Sequence, residues 1–130
     1  MLDTNMTDRR SLNRGIIIRI KVGCEIGLYK SALRALGCPT NIHFWWNENK
    51  KALFVSAANE ITDMSIPVHK DYYNYMNGLK ISNKQLLRAI QMLFNWEDGA
   101  EKKIRGNFIP ELKMIEFKAN GKVTEVLSNV

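Results

Sequence analysis

The segment Lys30-Ser-Ala-Leu-Arg-Ala-Leu36 returns 54 residues later as Lys84-Gln-Leu-Leu-Arg-Ala-Ile90, a shared K-x-x-L-R-A-[LI] pattern. Each copy follows a strand candidate and precedes a pair of strand candidates, so an order of elements repeats along with the residues. The following strand pairs align at an offset near 62, which sets Lys51 opposite Lys113. The extra eight residues are about two helical turns, and the second helix is longer by about that much. In a chain of 130 residues, a duplication of this kind yields two small units that share one core. Chance is the alternative, because Lys, Leu, Arg and Ala are common helix formers. The repeated block order argues for duplication more strongly than the four identities do.

Residues 15–22 (GIIIRIKV) read as a strand. The apolar start fits a central position, and the alternation of Arg19 and Lys21 with Ile20 and Val22 brings the far end to solvent. Residues 30–36 read as a two-turn helix with Leu33 and Leu36 on one stripe, stopped by Gly37 and Pro39 and too short to stand without packing. Residues 41–46 and 52–57 form a hairpin over a polar loop, whereas Pro67 demotes residues 61–70 to an edge or a loop. Asn77-Gly78, between residues 72–76 and 79–81, is a strong hairpin signal. Ser82 with Gln85 reads as a capping box opening a helix in which Leu86, Ile90 and Leu93 form the inward stripe. Residues 103–109 and 113–118 make a second hairpin.

The predicted fold is α+β: two strand–helix–hairpin pseudo-repeats, residues 15–57 and 79–119, forming a shared antiparallel sheet or barrel with helices packed on it. A flexible arm (1–13), a connector with a hairpin (58–78) and a tail (120–130) complete a single domain. The predicted core is Ile16, Ile18, Leu33, Leu36, Phe54, Leu86, Ile90, Leu93 and Phe117.

Several function classes lose support at once. No apolar run approaches the roughly 20 residues of a membrane span, and residues 1–14 are polar with no signal-peptide pattern. Only two cysteines, Cys24 and Cys38, argue against a secreted disulfide scaffold, which leaves a cytoplasmic protein as the expectation. Histidine is limited to His43 and His69, and no GxSxG, P-loop, GxGxxG, HExxH or CxxC pattern occurs. Cys38 lies past a helix C-terminus, the wrong dipole end for activating a thiol. Glu97, Asp98 and Glu101 read as a solvated turn facing Lys102 and Lys103. The chain therefore reads as a non-enzyme without cofactor or metal.

Charge points elsewhere. Nineteen Lys and Arg against thirteen Asp and Glu give a net charge of +6, which invites an anionic partner. Lys30/Arg34 and Lys84/Arg88 are like-charge pairs one helical turn apart, unfavourable unless something negative meets them. With Arg9, Arg10, Arg14 and Arg19 they are the candidate nucleic-acid contacts, suited to phosphates rather than base edges. The consecutive Phe44, Trp45 and Trp46 split between two strand faces, so one face is core and the other is core, interface or a stacking platform. Trp45, together with Tyr73 and Tyr75 of the tyrosine-rich hairpin, is the candidate partner-binding set.

The stretch Gly27-Leu-Tyr-Lys-Ser-Ala-Leu-Arg-Ala-Leu-Gly37, followed by a strand, a polar turn and a strand, resembles the AbrB/MraZ-like swapped-hairpin module. The resemblance covers residues 15–57, with an echo at 79–118. It departs from the family pattern at Tyr29, where proline is usual before the lysine, and in the hairpin turn, acidic in the family and basic on balance here. The whole chain also looks like small uncharacterised bacterial and phage proteins with the same block order. The family resemblance implies a DNA-binding regulator acting as a dimer or as tandem copies. The leading expectation is thus a non-enzymatic DNA-binding regulator or accessory protein, a homodimer. The alternatives are a protein–protein interaction module, such as a phage-encoded inhibitor of a host defence system, and a small-molecule or nucleotide binder.

Overall fold

The computed structural model describes residues 16–63, 65–69 and 78–118. The first strand, β1 (Ile17–Lys21), turns tightly into β2 (Glu25–Leu28), which leads into helix α1 (Lys30–Ala35). A hairpin of β3 (Asn41–Asn47) and β4 (Ala52–Ala57) follows, then a two-residue strand β5 (Ile66–Pro67). After β6 (Leu79–Ile81) come helix α2 (Lys84–Phe94), β7 (Glu101–Arg105), β8 (Asn107–Ile109) and β9 (Met114–Lys118).

These strands form two antiparallel sheets, one of four strands in the order β6-β2-β1-β7 and one of five in the order β5-β3-β4-β9-β8. This corrects the predicted fold class. The described residues are mostly β and divide between two sheets, instead of forming one shared sheet or barrel with helices packed on it. Two physical causes account for the difference. Glu25-Ile-Gly-Leu28 makes a strand that its glycine and short length conceal, and it draws β6 into the first sheet. Residues 103–109, which read as one strand, instead bend at Gly106, so that β7 pairs with β1 while β8 pairs with β9. The second unit is therefore strand–helix–strand–hairpin. The two strands that lead into the helices, β2 and β6, are neighbours, as are the closing strands of the two hairpins, β4 and β9.

Gly106 is required by close approach. A Cβ there would lie 2.5 Å from Ile115 Cγ2 and 2.6 Å from Phe117 Cε1, so the bare backbone is what lets the chain cross between sheets against the core. Its amide donates to the Ile16 carbonyl at 2.7 Å and fixes the crossing point.

One hydrophobic cluster joins the inner faces of both sheets to the helices: Ile18, Ile20 and Ile26 from one sheet, Leu53, Val55 and Phe117 from the other, with Leu33 of α1 and Leu86, Ile90 and Leu93 of α2. Most of the predicted core is buried, with two exceptions. Phe54 is only half-buried, because the alternation of β4 turns Leu53 and Val55 inward and Phe54 outward. Leu36 packs at the cluster's margin.

The helix ends also correct the sequence reading. Asn83, not Ser82, caps α2, its side-chain oxygen accepting from the Leu86 amide at 3.0 Å. Asn and Ser rank close as N-caps, so residue type alone does not decide between adjacent candidates. Asn95 ends the helix in the left-handed conformation. Pro67 sits in an edge strand, as its missing N–H requires. The expected partner strand across Asn77-Gly78, residues 72–76, lies outside the described residues, and so do the arm and the tail. Among the described residues no helix is long and apolar enough to cross a membrane.

Candidate nucleic-acid interface

Strand alternation sorts the four-stranded sheet into an apolar inner face and a charged outer one. Ile18, Ile20, Ile26, Leu28, Leu79, Ile81 and Ile104 point to the core. The residues between them share the other face. Register sets Arg19 beside Gly27 and Lys103, Gly27 beside Lys80, Lys21 beside Glu25 and Glu101, and Ile17 beside Arg105. Five cations (Arg19, Lys21, Lys80, Lys103 and Arg105) thus share this face with two carboxylates, leaving three net positive charges.

The carboxylates are not spread evenly. Arg19 donates to Glu25 at 2.8 Å and to Glu101 at 3.3 Å, so its guanidinium is held by two acids and the direct Arg19–Lys103 opposition is relieved. Register places both acids in the Lys21 row, and the ion pairs draw their carboxylates toward Arg19. Lys80 and Lys103 share the Arg19 row and Arg105 lies one row further from Lys21, all three on the two edge strands. Arg105 Nε is buried and has no hydrogen-bond partner among the described residues. Four strands spaced by about 4.8 Å put Lys80 and Lys103 about 14 Å apart, on the scale of the roughly 12 Å major groove of B-DNA.

The helical candidates take separate positions. The helices leave opposite ends of the antiparallel β2–β6 pair, because α1 follows Leu28 and α2 follows Ile81. On α1, Arg34 is exposed and Lys30 half-buried. On α2, Lys84 and Arg88 are exposed and line an open cleft of about 610 Å³ with Gly23, Gln91 and Trp96. Gln91 donates to the Trp96 carbonyl at 3.1 Å and to Asp98 Oδ1 at 2.8 Å, closing the far end of that cleft.

Asp98 is engaged by Gln91 and Glu101 by Arg19, partners that the sequence reading did not name. Arg19, predicted as a phosphate contact, is the one basic candidate already ion-paired in the described structure. Trp45 stands on the outer face of the other sheet, 47% exposed. Arg9, Arg10, Arg14, Tyr73 and Tyr75 lie outside the described residues.

Lys80, Lys103 and Arg105 were missed by the sequence reading. A signal for them exists: Leu79-Lys-Ile81 and Lys103-Ile-Arg105 both alternate cation with aliphatic, the period of a half-exposed strand. Among the described residues no group of three or more His, Cys, Asp or Glu is placed to hold a metal ion, and Cys24 and Cys38 are free and exposed. No protein-family model, curated protein or solved structure matches the chain.

Proposed function

We propose that this protein is a non-enzymatic DNA-binding regulator or accessory protein that holds the phosphate backbone on the outer face of its four-stranded sheet. The observation that carries this reading is the gathering of Lys80, Lys103 and Arg105 with Lys21 on one face, while the acids there are drawn into ion pairs with Arg19. Contacts of this kind give affinity and orientation with little base discrimination. The exposed Lys84 and Arg88 of α2 supply a second basic strip, and the resemblance of residues 15–57 to the AbrB/MraZ-like module supports the same reading.

Anisotropy titrations against unrelated duplexes test it. The double change Lys80→Ala with Arg105→Ala is expected to weaken binding to all of them alike and to flatten the log K against log[salt] slope by about 1.8, or 0.9 per lost phosphate contact. An unchanged slope contradicts the placement on the sheet. Arg34→Ala with Arg88→Ala is expected to flatten the slope by up to the same amount, and an unchanged slope in that variant confines the contact to the sheet face. Lys80→Ala alone should leave stability within about 0.5 kcal/mol, because the side chain is exposed.

A further inference from the structure

We propose that the cleft along α2 binds a single nucleotide, with its phosphate on Lys84 and Arg88 and its base stacked on Trp96. Helical spacing lays the site out. Lys84, Arg88 and Gln91 stand at i, i+4 and i+7, so they share one stripe of α2 with about 10 Å of helix from first to last. That span is on the scale of one nucleotide from its phosphate to the far edge of its base. Gly23 lines the cleft from the β1–β2 turn, and the Val22 amide, donating to the Ala100 carbonyl at 2.8 Å, ties that turn to the segment after α2. The volume of about 610 Å³ lies within the roughly 300–1,000 Å³ of small-molecule sites.

Charge sets the occupant and its direction. Lys84 and Arg88 are exposed, and among the described residues neither is ion-paired, so a phosphate between them relieves their mutual repulsion. Asp98 stands at the other end, where its carboxylate repels a phosphate and leaves room for the base. Trp96 is half-buried there, its ring backed by Phe94 at 4.7 Å. An aromatic ring held before binding is a stacking platform, and every base has a face to lay on it. Gln91 Nε2 already donates to the Trp96 carbonyl and to Asp98, so this end meets the base edge with oxygen acceptors. Guanine, whose N1–H and N2 amino group are adjacent donors, suits that edge best.

The inference goes beyond the sheet-face reading, because the cleft is built from other residues and needs no duplex. The same unit is offered by a free nucleotide and by the unpaired end of a strand. Two charge contacts and one stacked base in an open cleft hold a ligand weakly, with a dissociation constant of about 0.1–1 mM expected.

Titrating the full chain with GMP to about 10 mM, followed through the tryptophan indole N–H resonances by NMR, tests this. The Trp96 resonance, identified by its loss in Trp96→Phe, is expected to shift saturably while those of Trp45 and Trp46 stay in place. Guanosine, without the phosphate, and ribose 5-phosphate, without the base, are each expected to bind at least about tenfold more weakly. Lys84→Ala with Arg88→Ala removes two exposed side chains, so the fold is expected to hold while GMP affinity falls at least about tenfold. Lys80→Ala is expected to bind GMP at native strength, which separates failure of this cleft from failure of the sheet-face reading. A 5′-phosphorylated strand beginning with an unpaired guanosine distinguishes the sources: displacing GMP far below the GMP concentration assigns the cleft to a strand end, and displacing it no better than GMP itself assigns it to the free nucleotide. No saturable shift at Trp96, or native-strength binding by the folded double variant, overturns the proposal. AMP binding as tightly as GMP overturns the choice of guanine.

Discussion

Gly78→Ala is expected to cost about 3–5 kcal/mol, from a left-handed backbone penalty of about 1–2 kcal/mol together with the overpacking that a new side chain forces. Gly78 has a φ of +71°, and a Cβ on it would run into the Leu28 carbonyl oxygen while lying 3.1 Å from the Lys30 nitrogen and 3.2 Å from Tyr29 Cα. Every one of these neighbours is backbone, so no side-chain rotation relieves the collision. Nor can that backbone retreat easily. Leu28 is paired with Ile18 on its other side, and the Tyr29 amide donates to the Ile17 carbonyl at 3.1 Å. Urea denaturation measures the loss. A cost below about 1 kcal/mol would contradict the close passage of the chain entering β6 across the junction of β2 and α1.

Ile90→Ala is expected to cost about 2–5 kcal/mol, the range for removing a large aliphatic side chain from a packed interior. Ile90 is fully buried, in the same cluster as Leu86 and Leu93, where α2 meets residues of both sheets. Met92, two residues on, is 72% exposed, and Met92→Ala should change stability by no more than about 0.5 kcal/mol. The contrast within one helix checks its orientation independently of the total stability. Equal losses at both positions would mean that the buried face is wrongly assigned.

Local patterns were legible in the sequence where one face of an element is clearly apolar. The α2 stripe, the β3–β4 and β8–β9 hairpins, and the edge position of Pro67 all follow from periodicity and turn chemistry. Sheet membership was not legible. Whether residues 101–109 form one strand or two depends on Gly106 meeting Ile115 and Phe117, which are distant partners invisible to a local window. The strand β2 escaped because four residues carrying Glu25 and Gly27 show too little alternation to be seen. With β2 missing, the pairing of β6 could not be placed either.

The candidate site was legible to a similar degree. Like-charge pairs on helices are visible because helical spacing is local, and Lys84 and Arg88 do line one cleft. The basic sheet face is assembled from three separate segments of the chain, so only the register brings Lys80, Arg19 and Lys103 into one row. The same register supplies the carboxylates that occupy Arg19, which no reading of residues near Arg19 alone would pair with Glu101. Phe54 and Trp45 show the converse. Their neighbourhood was visible from the hairpin, but which side of the sheet the core takes is set by distant packing, Leu53 and Val55 joining the cluster with residues of the other sheet and the helices.

The central claim is that a phosphate backbone rests on the cations of the four-stranded sheet. Titrating the native protein against a random-sequence duplex between about 50 and 200 mM salt tests it most directly. Lys21, Lys80 and Arg105 on the sheet predict a log K that falls linearly with log[salt] at a slope of about −2.7 or steeper, with little difference between unrelated sequences. No binding at the lowest salt, or binding whose strength is independent of salt, would contradict the account.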